Sequence, residues 1–179
     1  MNNLVNDKRS GRIAIVAHCI LNQNSRVLGL AERSSTMTEI VEFLMSNDIG
    51  IVQMPCPELS YAGILREGKT KDQYDTVMFR SHCRRTAKEI VEQIQEYAKC
   101  KIRTEIVVGV DGSPSCGVSQ TSKERSSEKV SKNRRESSGI LIDELRFVLE
   151  EKKIQLPFYG IKYERLPEDL EKIERLLEG

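Results

Sequence analysis

The segment RIAIVAH, residues 12–18, decides the fold, because it is a short apolar run rich in β-branched side chains. Two later segments, GIVQM at 50–54 and EIVVGV at 105–110, have the same character. Apolar runs of this length are typical of strands that are buried on both faces of a parallel sheet. We therefore predict three buried parallel strands.

Amphipathic helical patterns separate and follow these strands. Between the first two strands, apolar residues share one helical face, and Thr36 with Glu39 is predicted to form a capping box. A second helix is predicted from about 82 to 99, with Ser81 as its N-cap. Beyond the third strand we predict a further helix, a fourth strand near 155–159 and a final helix. The apolar stripes of these two helices are Leu141, Leu145, Val148 and Leu149, then Leu170, Ile173 and Leu177.

Regular alternation of strand and helix predicts the fold class. It is typical of an α/β, doubly wound domain of the Rossmann or flavodoxin-like type, with a mostly parallel sheet and helices on both faces. We expect one such domain over residues 1–179 and the sheet order 2-1-3-4. Residues 55–80 and 117–138 interrupt the alternation, and we predict that they are long loops over the functional site.

Composition limits the possible partners and location. The chain has 179 residues, and 28 basic against 27 acidic side chains give a net charge of +1, so no global field attracts nucleic acid or an anionic membrane. The basic segment from Lys123 to Arg135 contains no aromatic residue for base stacking and includes acidic residues, so we do not expect nucleic acid as a partner.

The same sequence predicts a cytoplasmic protein. No apolar stretch approaches the roughly 18–20 residues of a membrane-spanning helix, and no signal-peptide cleavage site follows the apolar run after Arg12. Five cysteines at wide spacings are an odd number and are unlike a disulfide framework, which indicates a reducing compartment. The sequence makes no prediction about the oligomeric state.

Three of the cysteines each follow the end of one of the first three predicted strands. Cys19 comes after the first, Cys56 after the second and Cys116 after the third. In open α/β sheets the ligand site lies outside the carboxyl ends of the strands, where strand order reverses, so these thiols are expected to converge. The other two, Cys83 and Cys100, lie on a predicted helix and are interpreted as structural residues.

Three converging thiolates indicate a soft metal group. A structural zinc site would need a fourth ligand and closely spaced cysteine pairs, which this chain lacks. Three thiolates can hold three corners of a [4Fe–4S] cluster and leave the fourth iron open as a Lewis acid. The same cluster in an electron carrier or sensor is an alternative.

The motifs around these cysteines resemble the iron–sulfur desulfidases related to bacterial 2-thiouracil desulfidase. They are HCILN at 18–22, CPE at 56–58 and SPSCG at 113–117, and they occur in that order. After Cys19 the chain departs from better-known members, which continue with Leu-Leu-Gly and a further Cys-Arg. It is therefore identified as a divergent, desulfidase-related branch.

This resemblance implies a site and a reaction. Cys19, Cys56 and Cys116 would ligate a [4Fe–4S] cluster that can be lost in air, and its open iron would take the thiocarbonyl sulfur of a small, thiouracil-like substrate. Glu58 would act as acid and base, assisting water in a hydrolysis that releases sulfide.

Three polar residues each have two possible roles. The resemblance also implies a polar catalytic role for Ser113 or Ser115, although serine beside proline often only shapes a turn. Asn22 is a candidate substrate contact that could bind a nucleobase edge, or it could cap the segment after the strand.

A cysteine-phosphatase-like hydrolase is a second enzyme class to consider. Such enzymes place a nucleophilic cysteine after the first strand in the pattern C-x5-R, which cradles phosphate with backbone amides. Here Arg26 comes one residue too late after Cys19. That hypothesis also leaves Cys56 and Cys116 unexplained.

Overall fold

A computed structural model describes residues 7–122 and 134–178. Among these residues the central sheet is formed by the strands β1 (Arg12–Ala17), β2 (Gly50–Met54), β3 (Arg103–Val110) and β6 (Phe158–Ile161). Their order is β2-β1-β3-β6, and every neighbouring pair is parallel. The predicted α/β class and the order 2-1-3-4 are confirmed, counting only the strands of this sheet. The fourth strand begins three residues later than predicted.

Helices cover both faces of this sheet. Within the described residues the α-helices are α1 (His18–Leu21), α2 (Thr38–Ser46), α3 (Pro57–Ala62), α4 (Lys71–Tyr74), α5 (Val77–Lys99), α6 (Ile140–Glu151) and α7 (Leu166–Glu178). α5 packs against α6 and α2 contacts α7, while almost all residues of β1 and the second half of β3 are buried. Among the described helices none is both long and apolar enough to cross a membrane.

The start of α5 corrects one sequence prediction. The helix begins at Val77 rather than near residue 82, and Thr76, not Ser81, is the N-cap because its hydroxyl oxygen accepts the amide of Phe79 at 3.2 Å. Phe79 is fully buried and stacks on Tyr74 with ring centroids 4.5 Å apart. This tertiary packing extends the helix beyond its regular apolar stripe.

The predicted capping box of α2 is also wrong. The helix begins at Thr38 after the N-cap Met37, which makes no side-chain capping bond. Thr36 instead donates to the carbonyl of Leu21 at 3.0 Å, and Glu39 pairs with Arg33 at 2.9 Å. Thr36 therefore contacts the end of α1, and Glu39 contacts the loop before α2.

The two segments predicted as long loops contain regular structure. Residues 55–80 include α3, α4 and the start of α5, and a capping box formed by Thr70 and Gln73 begins α4. Within 117–138, β4 (Gln120–Ser122) and β5 (Arg134–Glu136) form an antiparallel pair. Residues 123–133, which include most of the basic segment, lie outside the described residues.

Candidate functional site

The carboxyl ends of β1, β2 and β3 meet at one edge of the sheet, and each is followed by a cysteine. Cys19 lies in α1, two residues after β1, and Cys56 follows β2 by two residues as the N-cap of α3. Cys116 lies in the loop after β3, six residues beyond its end. We call these three residues the thiol site. It stands beside the β1/β3 switch point, where such sheets bind ligands.

Burial and mutual repulsion keep the thiols of this site uncharged. Burial is the main cause that raises the pKa of Cys19 to about 12; Arg26 opposes this rise, and the neighbouring Cys56 contributes to it. Burial likewise raises the pKa of Cys56, and it raises that of Cys116 well above its usual value with added repulsion from Cys56 and Cys19. The three thiols therefore lie within electrostatic reach of one another, and a cationic group is needed to hold them together as thiolates.

Glycines fix the loop that carries Cys116. A side-chain carbon on Gly139 would lie 2.3 Å from the carbonyl carbon of Ser115, and one on Gly109 would lie 2.2 Å from the carbonyl oxygen of Cys116. Asp111 braces the same loop by accepting the amide of Val118 at 2.9 Å. The backbone therefore approaches too closely for larger residues, and the position of Cys116 is set by the fold.

Glu58 and the two predicted serines form one hydrogen-bonded group. Glu58 lies in the first turn of α3 and is 7% exposed. Its Oε1 accepts the Ser115 hydroxyl at 2.5 Å and the Ser113 hydroxyl at 3.5 Å. Ser115 also lies 3.6 Å from Sγ of Cys116. The carboxylate therefore sits between the segments that carry Cys56 and Cys116.

Arg66 completes this group, and sequence reasoning missed it. Its side chain is 4% exposed, and its Nε lies 3.7 Å from Oε2 of Glu58. The guanidinium also donates to the carbonyl of Ser25 at 2.8 Å and to that of Gly63 at 3.1 Å. No periodic pattern marks Arg66, because it lies between two short helices.

Asn22 has a capping role in this structure. Its side chain is exposed, and its oxygen accepts the amide of Asn24 at 3.1 Å at the start of a 3-10 turn. Gln23 is the buried neighbour, donating to the carbonyl of Cys19 at 2.5 Å and to the hydroxyl of Tyr163 at 3.1 Å. A substrate contact by Asn22 stays a prediction, whereas Gln23 supports the backbone at Cys19.

The two remaining cysteines have other surroundings. Cys83 is fully buried on α5 in the hydrophobic core, and Cys100 is exposed at the end of the same helix. A cavity of about 450 Å³ lies at the amino end of β6, lined by Arg146, Lys153 and Phe158 among others. This cavity is separate from the thiol site, because it is at the opposite end of the strand from the edge where the thiols lie.

The donor set of the thiol site consists of three thiols, and its chemistry fits an iron–sulfur cluster. Within residues 7–122 and 134–178, no three His, Cys, Asp or Glu side chains are placed to hold one metal ion. A cluster is larger than an ion and takes each thiolate on a different iron. Thiolates are also the ligands that such clusters require.

The fold and the thiol site define a class of protein: a doubly wound α/β domain with three cysteines at its switch point. A family profile described as "Putative 2-thiouracil desulfurase" matches residues 11–136. The chain belongs to this family, which confirms the resemblance seen in its motifs.

Two known proteins are similar over nearly the whole chain. "Uncharacterized protein MJ0003" of Methanocaldococcus jannaschii is 40% identical over 167 residues, which cover 93% of this chain and 95% of the relative. The solved structure of the "[4Fe-4S]-dependent thiouracil desulfidase TudS" matches with a TM-score of 0.50 and 17% identity, covering 92% of this chain and 99% of that one. At that identity the structural match shows a shared fold.

Proposed function

We propose that this protein is a [4Fe–4S]-dependent desulfidase that removes sulfur from a thiocarbonyl-containing small molecule by hydrolysis. The observation that carries the proposal is the meeting of Cys19, Cys56 and Cys116 with Glu58, whose carboxylate is held by Ser115. Membership of the desulfurase family and the named activity and cofactor of TudS support it. A reducing, cytoplasmic environment would suit such thiols.

Cys19, Cys56 and Cys116 are the residues proposed to hold the cluster. When bound by three thiolates, a [4Fe–4S] cluster supplies an iron without a protein ligand, a Lewis acid with affinity for sulfur. Side chains of this chain carry out the proton transfers and hold the reacting groups in position.

Glu58 is the proposed acid and base. Its carboxylate takes a proton from water, which supplies oxygen to the thiocarbonyl carbon, and returns a proton to the departing sulfur. The C=S bond is thereby replaced by C=O and hydrogen sulfide leaves, so the reaction needs no external electron.

The serines orient this carboxylate. Ser115 donates to Oε1 of Glu58. The Ser113 oxygen accepts the amides of Cys116 at 3.0 Å and Ser115 at 3.3 Å, which fixes the turn that presents both residues. A carboxylate held in this way has little conformational freedom to lose when it acts.

Anaerobic reconstitution with iron and sulfide tests the cofactor. We expect four irons and four acid-labile sulfides per chain, because a [4Fe–4S] cluster has that composition. Incubation with 2-thiouracil and other thio-nucleobases should then release sulfide. A protein that stays colourless after reconstitution would contradict the proposal, and reversible one-electron titration without sulfide release would assign it to electron transfer instead.

The phosphatase alternative is disfavoured by the surroundings of Cys19. A nucleophilic cysteine needs a lowered pKa, and burial raises that of Cys19 to about 12. The residues after it form α1 and a 3-10 turn rather than an open loop around an anion.

A further inference from the structure

Tyr74 is a buried tyrosine whose hydroxyl is not paired with another side chain or the backbone. It is the last residue of α4 and is 3% exposed. Its Oη finds no hydrogen-bond partner within the part of the chain that the structure describes. Buried tyrosine hydroxyls usually have a partner, because leaving one unpaired is destabilising. We therefore expect this hydroxyl to bind a small polar group that is not part of the chain.

Packing and charge place the Tyr74 hydroxyl beside Glu58. The ring of Tyr74 stacks on Phe79 with centroids 4.5 Å apart. Phe79 in turn contacts the ring of Tyr61 at 5.1 Å, and Tyr61 belongs to α3, the helix that carries Glu58. Burial, and then the charge of Glu58, raise the pKa of Tyr74 to about 12, against an opposing effect of Arg66. The hydroxyl is therefore within electrostatic reach of both charges and stays protonated, as a hydrogen-bond donor.

The two oxygens of the Glu58 carboxylate have different surroundings. Oε1 accepts the hydroxyls of Ser113 and Ser115. Oε2 faces Nε of Arg66 at 3.7 Å, which is too long for a hydrogen bond, and this Nε is a second buried donor without a partner among the described residues. Within residues 7–122 and 134–178, no hydrogen bond reaches Oε2. Polar groups that are further apart than a hydrogen bond can be bridged by a water molecule.

α4 is fixed to the element that also supports Ser115. Nζ of Lys71, in the same helix as Tyr74, lies 2.7 Å from Oδ2 of Asp143 in the first turn of α6. α6 is joined to the loop after β3, because the amide of Leu141 donates to the carbonyl of Ser115 at 3.0 Å. Tyr74 and Ser115 therefore approach the carboxylate from a common support, and their relative position is set by the fold.

We propose that the hydroxyl of Tyr74 and Oε2 of Glu58 bind the water molecule that attacks the substrate. The inference rests on the proposed desulfidase function. The Tyr74 hydroxyl donates to the water oxygen, and the water donates to Oε2, which leaves one lone pair of the water for the thiocarbonyl carbon. As the new C–O bond forms, one O–H bond of the water breaks and its proton passes to Oε2, while the π electron pair of the C=S bond moves to sulfur. Tyr74 keeps its own proton, and its contribution is to orient the water before the reaction.

Tyr74→Phe tests this role with little change in packing, because phenylalanine keeps the stack on Phe79 and lacks only the hydroxyl. The assay uses reconstituted protein and the thio-nucleobase that the wild type converts fastest. We expect kcat to fall at least about tenfold, with KM, iron and acid-labile sulfide unchanged. Tyr61→Phe is the matched control, because Tyr61 contacts the same Phe79 ring but is 46% exposed. That control should keep the wild-type kcat.

High-resolution crystal structures give a second readout that does not depend on turnover. In the wild type we expect an ordered water at about 2.5–3.0 Å from both Oη of Tyr74 and Oε2 of Glu58. The water should be absent or displaced in Tyr74→Phe and retained in Tyr61→Phe.

The outcomes separate this inference from the proposed function. Absence of sulfide release by the wild type from every thio-nucleobase would overturn the proposed function, while the crystal structures would still decide the water site. Wild-type kcat in Tyr74→Phe would overturn the inference alone. A raised KM at unchanged kcat would also overturn it, because the hydroxyl would then bind the substrate instead.

Two further results would contradict the inference. An equal loss of kcat in Tyr74→Phe and Tyr61→Phe would assign the effect to packing around Phe79. A wild-type crystal structure in which the Tyr74 hydroxyl bonds directly to Glu58, with no water on Oε2, would show that the residue orients the carboxylate rather than the water.

Discussion

The hydroxyl of Ser115 donates a 2.5 Å hydrogen bond to Oε1 of Glu58, a residue 57 positions earlier in the chain. This contact joins the loop after β3 to the first turn of α3, and both segments carry a cysteine of the thiol site. The geometry of the proposed acid and base is therefore coupled to that of two proposed cluster ligands.

Removing this hydroxyl should slow the reaction without emptying the site. A hydrogen bond to a charged group contributes about 1.5–3 kcal/mol, so Ser115→Ala should lower kcat by about 10- to 100-fold. Iron content should stay unchanged. Ser46→Ala is a suitable control, because Ser46 is an exposed serine at the end of α2 whose hydroxyl donates to the carbonyl of Phe43. Wild-type kcat in Ser115→Ala would remove this contact from the mechanism.

Glu58→Gln should have a larger effect on turnover. General acid–base catalysis contributes about 10²- to 10⁴-fold, and the amide is nearly the same size as the carboxylate but cannot take the proton. Sulfide release should fall by that factor, while the absorption spectrum and iron content of the cluster are retained. Full turnover by Glu58→Gln would contradict the assigned role.

The cysteines should divide into two groups. Cys19→Ser, Cys56→Ser and Cys116→Ser should each prevent stable cluster binding, because three ligands share one group. Cys100→Ser and Cys83→Ala should retain it, alanine being chosen because Cys83 is fully buried and a hydroxyl there would lack a partner. Iron and acid-labile sulfide are measured after identical anaerobic reconstitution. If Cys83 proved necessary and Cys19 dispensable, the site would lie elsewhere.

Arg66 should be important for stability as well as for the site. Removing one partner of a buried ion pair costs about 3–5 kcal/mol, so Arg66→Met should lower Tm by about 6 °C or more in a chain of this size. Arg33→Met removes an exposed pair and should change stability by less than about 1 kcal/mol. Equal Tm values for the two variants would show that the Arg66 pair is weak.

His82 should make stability depend on pH. Burial, and secondarily the charge of Arg85, lower its pKa below 6.5, against smaller raising effects of the Pro57 carbonyl and Glu89. The unfolded chain therefore binds more protons than the folded one as pH falls through 6.5, and the folded state loses stability there. His82→Gln should reduce the drop in Tm between pH 7.5 and 5.5. An unchanged drop would assign the pH dependence to other groups.

The sheet could be predicted from the sequence because its central strands are apolar, and β1 and the second half of β3 are almost entirely buried. The run at 50–54 forms β2 with the predicted bounds, although β2 is an edge strand with only Met54 fully buried. The start of α5 was not predicted, because Val77 and Met78 are 85% and 69% exposed and do not continue the apolar stripe. Packing of Phe79 determines that helical turn instead.

The thiol site could be predicted in part for a similar reason. Topology places the residues after β1, β2 and β3 at one edge, so the cysteines and the adjacent Glu58 are visible in the sequence. The partners Arg66 and Gln23 were not, because they act through contacts between separate segments, such as Arg66 with Ser25 and Gln23 with Tyr163. Such contacts leave no periodic signal.

The most direct test of the proposed hydrolytic desulfuration follows both the oxygen and the sulfur in a single reaction. Anaerobically reconstituted protein is incubated with 2-thiouracil, or with another thio-nucleobase, in water labelled with oxygen-18. The account predicts equal amounts of sulfide and oxygenated product, with the label in the product, and neither from the Cys116→Ser variant. Two results would contradict the proposed hydrolysis. One is sulfide release no higher than that of the Cys116→Ser variant with every compound tested. The other is an oxygenated product that does not carry the label.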